Sequence, residues 1–145
     1  MAMIFDHIGI VVSDIDRAMP GFCASFDVAE ATSRFDDERL TVSVQFFRGS
    51  EGMTYELIAP LGENSVVAGV LKRGTNIVNQ IAYRTPSLSR QGQKLAGSGF
   101  MALSEPQPAV AFSGAHVQFF MSPLGFVVEL IEVHGCVHKF FRLDR

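Results

Sequence analysis

Four polar side chains lie inside strand-like apolar runs, where burial costs several kcal/mol unless something compensates it. His7 precedes Ile8-Gly9-Ile10-Val11-Val12, and Gln80 precedes Ile81-Ala82-Tyr83. Glu56 sits within Met53-Thr54-Tyr55-Glu56-Leu57-Ile58, and Glu129 within Phe126-Val127-Val128-Glu129-Leu130-Ile131. Two carboxylates converging on one pocket repel each other and raise at least one pKa unless a cation lies between them. An imidazole, an amide oxygen and two carboxylates make a four-ligand set suited to Zn, Ni, Co, Mn or Fe(II), leaving positions open for substrate oxygens. Taken singly, a strand His is more often a hydrogen-bonded core residue, and a strand Glu usually faces solvent. The pairing of the four positions is what lifts them above that reading.

That pairing is a repeat. With the second half laid under the first at an offset of 73, His7 falls on Gln80 and Glu56 on Glu129. Val44-Gln45-Phe46-Phe47 falls on Val117-Gln118-Phe119-Phe120, Glu56-Leu57-Ile58 on Glu129-Leu130-Ile131, Ile8 on Ile81 and Gly52 on Gly125. A period this long indicates a duplicated half-domain, because solenoid units run at roughly 20 to 50 residues.

Each half opens on an apolar strand, Ile4 to Val12 and Ile77 to Arg84. A helix follows from a capping signal: Ser13 or Asp14 ahead of Ile15, Met19, Phe22 and Phe26, and Ser87 or Ser89 ahead of a weaker pattern over Gln91 to Ala96. Gly97-Ser98-Gly99 is the stop for the second helix. Three strand candidates come next in each half. The last two form hairpins, Thr41 to Phe47 with Met53 to Ile58 and His116 to Met121 with Phe126 to Val133, across Gly49-Ser50-Glu51-Gly52 and Ser122-Pro123-Leu124-Gly125. Pro60 to Gly74 reads as a linker with a short helix from about Ser65 to Lys72, capped by Asn64 or Ser65.

The expected fold is therefore α+β, two βαβββ modules in tandem curling into an eight-stranded cleft. One domain is expected over 1–145, with module one at 4–60, a linker at 61–75, module two at 76–133 and an extension at 134–145. A pseudo-two-fold axis would set equivalent residues of the halves opposite one another, and chemistry would sit there.

The bulk numbers narrow the function classes. The chain of 145 residues is 48% hydrophobic, ample for one buried core. Net charge is −3 and Lys and Arg are scattered, so there is no electrostatic footprint for nucleic acid or an anionic membrane, and a small molecule is the expected partner. The N-terminus lacks a basic leader segment and no apolar run approaches the ~18 residues of a membrane span, so a cytoplasmic protein is expected. Cys23 and Cys136 read as buried thiols. Gln45 and Gln118 fit strand positions without metal. His116, His134 and His138 have no repeat partner and read as surface or edge residues. Phe46, Phe47, Phe119 and Phe120 are expected to pack between sheet and helix.

From Phe5 to about Val133 the sequence resembles the vicinal-oxygen-chelate superfamily, and within it the glyoxalases and methylmalonyl-CoA epimerases. The resemblance rests on Asp6-His7-Ile8-Gly9-Ile10-Val11-Val12-Ser13-Asp14-Ile15, on Glu56-Leu57-Ile58-Ala59-Pro60-Leu61 with Asn64-Ser65, and on Leu124-Gly125-Phe126-Val127-Val128-Glu129-Leu130. It implies a divalent metal held by His7, Glu56, Gln80 and Glu129. At the third position the epimerases usually have a His pair where this chain has Asn79-Gln80; glyoxalase I enzymes use Gln as a ligand. The resemblance also places a catalytic glutamate near Glu38, across a one-residue gap in the alignment.

On this resemblance the expected enzyme is a metal-dependent isomerase, epimerase or lyase that moves an α-proton next to a carbonyl, with Glu129 and Glu38 as the proton-transferring pair. An acyl thioester is the candidate substrate class and a homodimer the expected assembly. Pro106 to Ser122 lacks basic residues to meet a CoA phosphate. A metal-free binding protein of the bleomycin-resistance type is the alternative, kept open by Gln80. An extradiol dioxygenase would need two His and a carboxylate, and only His7 lies at a ligand position.

Overall fold

The computed structural model describes residues 3–73 and 77–133. The proposed extension at 134–145, with Cys136, His134 and His138, lies outside the described residues. The chain is α+β, and its described residues divide into two compact units, one within His7–Val78 and one within Asn79–Arg145 with the chain start Met1–Asp6.

The first unit takes β1 (Ile4–Val11) from His7 onward, then α1 (Ile15–Ser25), β2 (Val28–Ala31), β3 (Phe35–Asp37), β4 (Val42–Gly49), β5 (Thr54–Pro60) and the linker helix α2 (Ala68–Arg73). Its strand order is β2-β4-β5-β1, with β3 also on β4. β5 runs parallel to β1 and antiparallel to β4. The second unit is built the same way from β6 (Ile77–Thr85), α3 (Leu88–Gly97), β7 (Met101–Ala102), β8 (Gln107–Pro108), β9 (His116–Met121) and β10 (Val127–Glu132). Its order is β6-β10-β9-β7, with β8 also on β9, and β10 is parallel to β6 and antiparallel to β9.

Ten strands are described where eight were expected, because in each half the stretch between helix and hairpin is broken in two, β2 with β3 and β7 with β8. These pieces are short and carry largely exposed or half-exposed side chains, so they have no apolar alternation to announce them. The linker helix starts three residues later than expected, at Ala68, with Ser65 tied into the turn ahead of it.

Helix starts resolve in matching fashion. Asp14, not Ser13, accepts from the Arg17 amide, and Ser87, not Ser89, from the Arg90 amide, so the caps themselves stand 73 apart. α3 begins at Leu88, earlier than its weak apolar pattern suggested, and ends where expected at Gly97. Both hairpin turns close identically. Gly52 donates to the Gly49 carbonyl and Gly125 to the Ser122 carbonyl, at φ +96° and +90°, a backbone region open to glycine.

Each helix covers one face of the strands of its own unit. Val12, Ile15, Phe47, Leu57 and Ala59 form one core, with Ile10, Met19, Phe22 and Cys23 against it. Leu88, Leu95, Phe120, Val128 and Leu130 form the other, with Tyr83 and Phe100. Because strand side chains alternate, the residues between these face away from the helix: His7, Phe46 and Glu56 in one unit, Gln80 and Glu129 in the other. Phe46 therefore corrects the expectation that all four repeated phenylalanines pack under a helix; Phe47 and Phe120 do so.

Candidate functional site

In each unit the polar residue of the first strand is brought to the glutamate of the last. In the parallel pair β1–β5, Glu56 stands opposite Gly9, two residues beyond His7 on the same face. In β6–β10, Glu129 stands opposite Ala82, two residues beyond Gln80. The residue facing each glutamate is thus Gly or Ala, which leaves the space above it to the larger side chain two positions back. His7 Nε2 lies 3.1 Å from Glu56 Oε1, and Gln80 Nε2 donates to Glu129 Oε1 at 2.9 Å. All four are buried, with exposures of 0% for His7, 5% for Glu56, 6% for Gln80 and 3% for Glu129.

The surroundings of the first pair are apolar. Phe46 stands opposite Glu56 across β4–β5 and meets the His7 ring edge to face, centroids 5.2 Å apart at 85°, with Phe35 behind it at 6.4 Å. Phe119 holds the equivalent place opposite Glu129. Low local polarity strengthens any charge interaction at His7 and Glu56 and penalises an uncompensated carboxylate. In the second unit Asn79 Nδ2 approaches Gln80 Oε1 at 3.5 Å, so the Gln80 amide presents its N–H groups, not its oxygen, to Glu129.

Glu38 lies in the turn that joins β3 to β4, exposed, while its neighbour Asp37 is buried with Oδ1 accepting the Leu40 amide. No hydrogen bond joins Glu38 to either pair.

Several polar residues turn out to be structural in matched ways. Gln45 Nε2 donates to the Thr32 carbonyl while Thr32 Oγ1 accepts the Phe46 amide; Gln118 Nε2 donates to the Ser104 carbonyl while Ser104 Oγ accepts the Phe119 amide. These pairs fasten the incoming loops to β4 and β9, which explains the repeated glutamines without a ligand role. Asp6, next to His7 in sequence, pairs with Arg84 Nε at 2.9 Å and secures the start of β1 against β6. An acid inside an apolar strand is the sequence signal of such a pair. Cys23 is half-buried on α1, and burial pushes its thiol pKa up, away from reactivity. His116 is exposed, as expected.

The family model described as the glyoxalase/bleomycin resistance protein/dioxygenase superfamily matches residues 6–119. A hypothetical protein from Bacillus halodurans is 25% identical over 96% of this chain and 100% of its own, with a TM-score of 0.80. Methylmalonyl-CoA epimerase from Mycobacterium tuberculosis is 23% identical, covering 90% and 87%, at 0.75. The Streptomyces coelicolor methylmalonyl-CoA epimerase, in complex with 2-nitronate-propionyl-CoA, is 23% identical, covering 92% and 100%, at 0.76. At that identity the two epimerases show a shared fold. No curated protein sequence matches the chain significantly.

Proposed function

Because the chain belongs to the glyoxalase/bleomycin resistance protein/dioxygenase superfamily, we propose that it is a metal-dependent isomerase or epimerase that moves an α-proton next to a carbonyl. The observation that carries this reading is the repeated buried pair, His7 with Glu56 and Gln80 with Glu129. Two carboxylates and an imidazole at almost no exposure form a hard-to-borderline donor set, which fits Zn, Ni, Co, Mn or Fe(II). His7 Nε2, Glu56, Glu129 and Gln80 are the proposed ligands of one ion, Gln80 through its oxygen once its amide turns from the bond it makes to Glu129, which requires the two modules to act as one domain over 1–145.

When bound, such an ion supplies Lewis-acid stabilisation of the negative charge that builds on two neighbouring substrate oxygens as the α-proton leaves. The chain does the rest. Phe46 and Phe35 keep water from the His7 imidazole, so charge developing near it is poorly screened. Glu129 is the proposed base that takes the α-proton, and Glu38 the acid that returns one to the opposite face or the adjacent carbon. Return to the opposite face is epimerisation; return to the neighbouring carbon is a glyoxalase-type isomerisation. An acyl thioester is the proposed substrate class, since the epimerase of similar fold is described with a propionyl-CoA analogue. A cytoplasmic homodimer belongs to the same proposal.

The test is deuterium uptake at C2 of methylmalonyl-CoA in heavy water, with a 2-hydroxyacyl thioester as the second probe. We expect exchange that a chelator stops and that falls ~100-fold or more in Glu129→Gln, and inversion at C2 that falls as far in Glu38→Gln. A second reading has its own observation. The Gln80 amide donates to Glu129, an arrangement suited to a metal-free binding protein of the bleomycin-resistance type. Absence of exchange with both probes, together with small-molecule binding that ignores chelator, would establish that reading instead.

A further inference from the structure

The turn that carries Glu38 ends in an unusual residue. Thr41 has φ +60°, in the left-handed region, where a β-branched side chain is strained. Such conformations persist only where the surroundings over-determine them, and they concentrate at functional sites.

Thr41 is held from several directions. Its carbonyl accepts the Leu61 amide at 3.1 Å and the Ser65 hydroxyl, and its own hydroxyl donates to the Leu40 carbonyl at 2.6 Å while accepting the Val66 amide at 3.2 Å. Ser65 is itself buried and accepts the Val67 amide. On the other side of the turn, buried Asp37 accepts the Leu40 amide at 3.0 Å. Glu38 and Arg39 are therefore the free span of a turn clamped at both ends, by Asp37 and by Thr41 on the linker segment 61–67. None of these bonds touches the helix-facing core, and a glycine would reach the same backbone conformation without strain.

We propose that Thr41 is a positioning residue: its hydroxyl and carbonyl latch the turn onto the linker and so fix where the Glu38 carboxylate is presented for proton transfer. The proposal rests on the role given above to Glu38. Preorganisation of this kind appears in kcat and not in substrate affinity, since a group displaced by ~1 Å still leaves the binding contacts intact.

The experiment uses Thr41→Val, Thr41→Ser and Thr41→Gly in the whole chain and follows inversion at C2 of methylmalonyl-CoA. Valine keeps the shape and loses the hydroxyl bonds; serine restores the hydroxyl; glycine removes both strain and hydroxyl. We expect kcat to fall ~10- to 100-fold in the valine and glycine variants with KM and metal content unchanged, and to recover in the serine variant. The glycine variant should meanwhile melt no lower than wild type, which separates the lost rate from lost stability. Wild-type kcat in Thr41→Val, or a fall matched by KM and melting temperature, would overturn the latch while leaving Glu38 in place if Glu38→Gln is inactive. Wild-type rates in Glu38→Gln would overturn the latch together with the role it serves.

Discussion

At the scale of single residues, the identity of the candidate site depends on position more than on type. His7 and Gln80 differ chemically, yet each reaches two residues along a parallel strand to a glutamate whose opposite number is Gly9 or Ala82. This is why the set was legible in the sequence: the repeat marked the four positions before any geometry was known. Thr41 was not legible, because a Thr between Leu40 and Val42 reads as ordinary strand and nothing in the one-dimensional pattern marks a positive φ. Gln45 and Gln118 were placed correctly as strand residues, but their partners Thr32 and Ser104 lie 13 and 14 residues away across the one-residue slip between the halves. One surface pair makes a pH prediction. The Arg34 guanidinium holds the Asp16 carboxyl below its ordinary pKa. A depressed carboxylate pKa contributes stability above the unfolded value, lost as pH falls through the folded one. Both groups are largely in water, so the effect is small; urea titrations should show Asp16→Asn slightly less stable than wild type near neutrality, with the difference vanishing as pH falls well below about 4.

At the scale of elements, strands with an apolar helix-facing side and the two hairpin turns were readable, and the short edge pieces were not. Leu57 and Leu130 occupy the same place in the two cores, each almost fully buried beneath its helix. Truncating either to Ala should cost about 2–5 kcal/mol by denaturant unfolding. With the two sites in different clusters, the double variant should lose the sum to within about 0.5 kcal/mol, and a large departure would show that the two sites are energetically coupled. The turns give a matched pair of smaller effects. Gly52→Ala and Gly125→Ala should each destabilise by about 1–2 kcal/mol, since both positions need a positive φ. Gly21→Ala, in the middle of α1 with open space around it, should instead be neutral or stabilising.

At the scale of the whole molecule, the central proposal is that the polar pairs of the two units hold one metal ion. Duplication accounts for a glutamate on the last strand of both halves, while the matched first-strand position holds His7 in one half and Gln80 in the other. No described helix is long and apolar enough to cross a membrane. The most direct test is the metal content of protein purified without chelator, comparing wild type with Glu56→Ala and Glu129→Ala. One ion shared by both pairs predicts stoichiometric metal in the wild type and its loss in both variants, although the substitutions lie in different units. A wild type that is free of metal and refuses added Zn, Ni, Co, Mn or Fe(II), or a variant that keeps its metal in full, would contradict it.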